Sequence, residues 1–250
     1  MSRRLGIGIA GMLVLGWAVG CGEDPTVNKP VAKTGPAAGG AAQGGREASK
    51  AEESRSDASA AGALGSESEA EAAAVDRAQT GLVVPFSSEN GSTIGFVGSK
   101  KIGGSHEGGF RTFSGSFVLG GNSGEPTLER VTAEIDTRSI WSDDEKLTAH
   151  LKNQDFFEVD TYPTARFETT EIVPGGENGA THTLTGNLTL HGVTRSISIP
   201  ATVEISGNRV TLTSEFVLNK EEFGMTFTGP GGVIRHEVLV KLNVRGEGSG

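Results

Sequence analysis

Hydrophobic and polar residues alternate along the chain from about residue 82 onward, and a period of two predicts antiparallel β-strands with one face toward a core. The clearest case comes last, where Val238, Val240, Leu242 and Val244 alternate with mostly polar neighbours. The same alternation recurs over residues 113–119, 131–135, 184–190, 197–205 and 212–218, with further strands near 93–98 and 164–173. Since closure removes exposed strand edges, the pattern predicts an all-β, eight-stranded antiparallel barrel.

One segment departs from this period and predicts a short inserted helix. Ser142 and Glu145 have the spacing of a capping box, and two leucines follow at helical spacing. We therefore expect a helix over about residues 143–152, with Ser142 as its N-cap. Residues 154–163 are expected to form an extended connection back to the barrel.

The N-terminal residues have the pattern of a secretion signal. Two arginines precede an apolar run of 15 residues, Leu5–Val19, which is too short for a transmembrane helix. Residues 1–20 are therefore predicted to be a signal peptide. Ala18–Cys21 resembles a bacterial lipobox, which predicts that Cys21 is a lipid anchor in the membrane. An ordinary secretory peptide, leaving a free thiol, is the alternative.

Residues 21–81 have the composition of a linker. They are rich in Ala, Gly, Ser and Glu and contain no aromatic residue. Such a segment cannot bury enough surface to offset its ordering entropy, so it is predicted to be a disordered tether that spans roughly 40–45 Å. The folded domain is then 82–250. The expected location is the bacterial cell envelope, lipid-anchored to a membrane, with the domain in the periplasm or at the cell surface.

Charge and motif content exclude several classes of function. The chain has 250 residues and a net charge of −9, which disfavours binding to nucleic acid. A single cysteine excludes a disulfide framework. The five histidines have no metal-ligand spacing, and no nucleophile elbow, phosphate loop or dinucleotide motif occurs, so we predict no metal site and no enzymatic activity.

Several ordered motifs of the barrel resemble one bacterial family. They are residues 150–159 with the following Tyr162-Pro163 and Phe167, residues 184–194, residues 219–225, and residues 96–117 with His106. Together they are similar to the YceI-like family of lipocalin-like polyisoprenoid-binding proteins. The resemblance covers about residues 90–246 and departs from the pattern at Lys220, where the family often has Arg.

This resemblance implies a lipocalin-like barrel that takes up a long isoprenoid chain, such as a polyprenyl lipid or quinone tail, as a carrier, scavenger or storage protein. Two alternatives stay open: an enzyme acting on an isoprenoid or quinone with His106 as acid–base group, and an envelope stress or protein-interaction module with a filled barrel. Beyond the bound isoprenoid or quinone, no cofactor is expected. The expected partners are that lipid and, through Cys21, the membrane, with a homodimer left open.

The candidate ligand-binding residues are one histidine and the large apolar side chains of these strands and motifs: His106, Phe110, Phe113, Phe117, Leu151, Phe156, Phe157, Phe167, Leu188, Leu190, Phe216 and Phe223. Taken singly, each phenylalanine is better explained as core filler, because apolar residues inside small barrels pack against one another by default. The resemblance favours the group as a pocket lining.

Overall fold

The computed structural model describes residues 24–38, 81–122 and 125–248. The predicted signal peptide, Cys21 and most of the predicted tether lie outside the described residues. The strands and the α-helix are β1 Lys33–Pro36, β2 Leu82–Ser87, β3 Thr93–Lys100, β4 Ser105–Phe110, β5 Phe113–Asn122, β6 Glu125–Asp136, β7 Ile140–Ser142, α1 Glu145–Leu151, β8 Thr164–Pro174, β9 His182–Leu190, β10 Val193–Ser206, β11 Arg209–Asn219 and β12 Ile234–Glu247.

Eight antiparallel strands close into a ring in the order β2-β5-β6-β8-β9-β10-β11-β12. The ring closes where Gly246 of β12 pairs with Phe86 of β2. The rest of β12 pairs with β3, which continues the sheet through β4 to β7. The predicted eight-stranded antiparallel barrel with one inserted helix is confirmed.

Several connections gather at one end of the barrel. Helix α1, the β3–β4 turn (residues 101–104), the β9–β10 turn (residues 191–192) and the β11–β12 connection (residues 220–233) all lie there. We call this the helix end. The β8–β9 turn and the start of β2 lie at the opposite end.

The N-cap of α1 is Asp144, and the prediction of Ser142 in that role is wrong. The Asp144 Oδ1 accepts a hydrogen bond from the Leu147 N–H at 2.8 Å. Ser142 is still the last residue of β7, paired with Gly108, so its backbone belongs to the sheet. The helix therefore begins two residues later than predicted and spans Glu145–Leu151.

The segment after α1 is a series of turns rather than the extended connection that was predicted. The backbone N–H groups of Phe156 and Glu158 both donate to the Asn153 carbonyl at 3.0 Å, and Glu158 has a φ of +43°. These turns allow Phe156 to be buried and Phe157 to pack beside it in the same cluster. In an extended strand the two side chains would point to opposite sides.

Residues 24–38, which we call the N-terminal strap, lie against the barrel, so the predicted tether does not run unbroken over 21–81. Strands β10 and β11 pair with each other over residues 202–206 and 209–213 and then separate. The strap fills the seam that opens between them. Strand β1 pairs antiparallel with β10, the Ala32 N–H donates to the Val217 carbonyl at 2.9 Å, and the Val217 N–H donates to the Pro30 carbonyl at 2.8 Å.

Polar contacts hold both ends of the strap. The Asp24 Oδ2 lies 3.2 Å from the Arg235 Nη1 on β12, and Lys29 forms an ion pair with Glu215. At the other end, the backbone of residue 38 exchanges two hydrogen bonds of 2.9 Å with the side chain of Asn187. The strap contributes a single buried side chain, Ala32, to the core. Backbone and ionic contacts carry no hydrophobic periodicity, which explains why the sequence pattern missed this element.

Candidate functional site

The barrel encloses an apolar cavity of about 270 Å³. Inward-facing side chains from the ring strands form its wall, as the period-two pattern requires. Aromatic contacts stiffen that wall, for example between Phe86 and Phe117, whose ring centroids are 4.8 Å apart. The volume is just below the range of about 300–1,000 Å³ that is usual for small-ligand pockets.

The structure brings most of the predicted binding residues together on this wall. Those that line the cavity are His106, Phe110, Phe117, Leu151, Phe156, Phe157, Phe167, Leu188, Leu190 and Phe216. Phe113 and Phe223 do not line it: both are buried in the main hydrophobic cluster. Phe223 lies on the short turn that follows β11, and its carbonyl accepts a hydrogen bond from His191. As ligand contacts, all twelve remain predictions.

Two inward-facing glycines make room for rings on the cavity wall. A Cβ placed on Gly115 would lie 2.3 Å from a carbon of the Phe86 ring, and one on Gly186 would lie 2.7 Å from the Phe167 ring. No larger residue fits at either position without moving these rings. The glycines in the alternating pattern therefore let aromatic side chains turn across neighbouring strands and shape the cavity.

A second apolar cluster, rich in aromatic rings, lies at the helix end. Ile140, Leu151 and Phe156 are buried together there, and Phe157 packs edge-on against Phe110 with ring centroids 5.6 Å apart. Phe227 packs against Phe156 at 5.5 Å. The turns after α1 thus place apolar rings across the end of the barrel.

Every titratable residue on the cavity wall is basic, and all of them lie at the helix end. They are Lys100, His106, Lys220 and Arg235. The rest of the wall is almost entirely aliphatic or aromatic. The arrangement therefore suits an amphiphile, with an apolar chain in the barrel and a polar or anionic head at this end.

Lys220 is the most deeply buried of these groups, at 6 % exposure. Its Nζ donates hydrogen bonds to the carbonyls of Met225 at 2.8 Å and Phe227 at 2.7 Å, and it lies 5.7 Å from the centre of the Phe156 ring. Desolvation lowers the pKa of the Lys220 ammonium. Lys220 is a site residue that sequence reasoning missed; the available signal was its place in a motif where the resembling family often has Arg.

His106 forms a polar pair with Asp143 at the rim. Its Nδ1 lies 2.8 Å from the Asp143 Oδ1, and the Glu107 N–H donates to the other carboxylate oxygen at 3.2 Å. Burial raises the pKa of Asp143, but the hydrogen bonds from His106 and Glu107 outweigh it, so the pKa lies below its usual range. The pair holds the imidazole in place while its other nitrogen stays free of protein partners within the described chain.

Within residues 24–38, 81–122 and 125–248, no group of three His, Cys, Asp or Glu side chains is placed to hold a metal ion. No helix in this part of the chain is long and apolar enough to cross a membrane.

Comparison with known proteins identifies the same stretch of chain. Residues 87–246 match the family model for the YceI-like domain. A UPF0312 protein of Pseudomonas putida strain W619 is 33% identical over 128 residues, which covers 49% of this chain and 64% of that relative. A UPF0312 protein of Pseudomonas paraeruginosa is 33% identical over 144 residues, covering 55% and 71%. The match thus spans less than two thirds of the Pseudomonas putida relative's length.

Two solved structures share the fold. Burkholderia cenocepacia BcnA has a TM-score of 0.51 and 21% identity, covering 62% of this chain and 96% of that one. A polyisoprenoid binding domain from Saccharophagus degradans, implicated in plant cell wall breakdown, has a TM-score of 0.50 and 17% identity, covering 68% and 100%. At these identities the likeness establishes the fold alone.

Proposed function

The chain belongs to the YceI-like domain family, and from that premise we propose that its barrel binds a long-chain isoprenoid lipid, a polyprenyl lipid or quinone tail, in the apolar interior. One observation carries the proposal: an apolar cavity inside the barrel whose few titratable groups are all basic and all at one end. The polyisoprenoid binding of the Saccharophagus degradans domain, which has the same fold, adds support.

The size of the cavity bears on how such a chain is held. At roughly 30 Å³ per water-sized group, the cavity takes on the order of nine carbon-sized groups. Burial of each methylene contributes about 0.8 kcal/mol, so even this part of a chain supplies a large driving force. A longer isoprenoid requires the barrel to widen or the chain to continue out through the helix end.

We propose further that the protein acts as a carrier, scavenger or storage protein of the bacterial cell envelope, anchored through lipidated Cys21. The lipobox-like Ala18–Cys21 and the apolar run before it support this location. The proposal assigns no bond-breaking chemistry to the barrel. Of the two alternatives, the filled barrel loses its main support because the interior holds a cavity.

A competition experiment tests the binding proposal. The purified mature chain is incubated with an equimolar mixture of a polyprenol, a quinone and a saturated fatty acid of similar carbon number, re-isolated, and extracted for mass spectrometry. We expect one isoprenoid per chain and little fatty acid. Recovery of fatty acid in equal or greater amount, or of no lipid at all, would contradict the proposal.

A further inference from the structure

The β3–β4 turn at the helix end, residues 101–104, exposes an aliphatic side chain that the barrel does not cover. Ile102 is 89% exposed, the highest value among the large hydrophobic residues that the structure describes. Val233, whose carbonyl accepts a 2.8 Å hydrogen bond from the Lys101 N–H, is 38% exposed beside it. We call residues 101–104 the tip.

The charges beside Ile102 are basic. Lys100 and Lys101 are both exposed, and neither takes part in an ion pair within the described parts of the chain. An exposed aliphatic side chain next to free lysines is the combination that binds an anionic bilayer: the apolar group enters the interface and the ammonium groups contact lipid phosphates.

The tip stands at the rim of the cavity. Lys100 and Gly104, one at each side of the turn, both line the cavity wall. Lys100 pairs with Ile234 at the start of β12, and the next residue, Arg235, also lines the cavity. A surface that contacts the tip therefore also lies next to the helix end, where the basic residues of the cavity wall are.

The strap places Asp24, three residues after the predicted anchor Cys21, at this same end. Asp24 contacts Arg235 at 3.2 Å, and only three residue spacings separate Asp24 from Cys21. Even a fully extended chain places Cys21 within roughly 11 Å of Asp24. This differs from the sequence-based expectation of a tether spanning roughly 40–45 Å, in which the domain moves far from the membrane.

We propose that the tip docks on a bilayer that contains anionic lipid, with Ile102 in the interface and Lys100 and Lys101 on the phosphates, so that the cavity opens toward the membrane. The inference rests on the anchor and the lipid binding proposed above. An isoprenoid chain then passes between the bilayer and the barrel without crossing water.

Fluorescence quenching in vesicles tests the orientation. The mature chain is coupled through Cys21, its single cysteine, to maleimide-bearing lipid in vesicles of phosphatidylethanolamine and phosphatidylglycerol with brominated acyl chains. Ile102→Trp is compared with Val173→Trp, at a 44% exposed position at the opposite end of the barrel, after subtraction of the native Trp141 signal. We expect strong quenching at position 102 and none at 173. Equal quenching, or none at 102, would overturn the proposal.

The partition coefficient of a chain without the lipid anchor onto vesicles measures the contribution of Ile102 to docking. In a Cys21→Ser chain, Ile102→Ser should lower the partition coefficient onto the same vesicles by about ten- to a hundredfold, since a large aliphatic side chain no longer enters the interface. Val173→Ser should leave it unchanged, and equal loss in both would argue against docking through the tip. Polyprenol binding in solution is measured on the same variants; its absence in all of them would reject the proposed function while the quenching result still decides the docking.

Discussion

Filling the cavity with a side chain should abolish lipid binding without unfolding the barrel. Ala165 is suited to this because it is 1% exposed, lines the cavity and faces Ile135 across the β6–β8 ladder. Ala165→Phe adds six carbon atoms to a cavity that takes on the order of nine carbon-sized groups. The new ring therefore displaces a large part of any chain bound there.

The expected loss of affinity follows from the methylene groups that the new ring displaces. Six groups at about 0.8 kcal/mol each amount to roughly 5 kcal/mol, which corresponds to more than a thousandfold in Kd. Ala165→Leu adds three carbon atoms and should cost about half that free energy. Stability should change less, because overpacking a core costs typically 1–3 kcal/mol and part of the added ring fills empty space.

The assay is displacement of a fluorescent prenyl lipid, with the free energy of unfolding from urea titrations on the same samples. Val173→Phe, at an exposed position of the same strand, is the matched control and should bind as the wild type does. A folded Ala165→Phe protein that bound the prenyl probe with unchanged affinity would contradict this prediction, because the ligand would then lie outside the cavity.

Three further outcomes are expected. The free energy of unfolding should rise as the pH is increased toward 10.5, because the unfolded chain holds the Lys220 proton more tightly than the folded chain does. In urea titrations Lys220→Met should lack that part of the rise, and a pH profile identical to that of the wild type would contradict the lowered pKa of Lys220. Ala32→Asp should detach the strap, since a carboxylate in the core costs several kcal/mol, and limited proteolysis within residues 24–38 should become faster. Val31→Asp, at a 63% exposed position, is the control and should be cleaved at the wild-type rate. The lowered pKa of Asp143 adds stability above its ordinary titration range that is lost as the pH falls. Asp143→Asn should therefore reduce the acid-induced loss of the free energy of unfolding, by under about 1 kcal/mol at this half-exposed site. A larger acid-induced loss in the variant, measured by urea titrations, would contradict this sign.

The barrel was predictable from sequence because each strand buries one face. Apolar residues such as Phe117, Leu184 and Val244 recur at every second position of their strands, and a closed sheet is the arrangement that buries them all. The same pattern predicted most of the cavity wall, since inward-facing residues of a small barrel necessarily surround its interior. Phe113 and Phe117 both belong to the buried core, but only Phe117 also reaches the cavity, and that difference depends on three-dimensional packing that periodicity does not contain.

The elements that sequence reasoning missed are held by contacts without periodicity. The strap is fixed by backbone hydrogen bonds and by ion pairs such as Asp24 with Arg235, which join residues far apart in the chain. Lys220 is a charged residue buried on carbonyl oxygens, against the usual preference of lysine for the surface. The N-cap is Asp144 rather than the predicted Ser142 because the backbone of Ser142 pairs with Gly108 in the sheet.

A crystal structure of the mature chain after incubation with a polyprenol or quinone tests the central claim most directly. We expect continuous tubular density that begins among the apolar side chains of the barrel and ends with a polar head near Lys220 and Arg235 at the helix end. A barrel whose interior stays empty at saturating lipid, or lipid bound only on the outer surface, would contradict it.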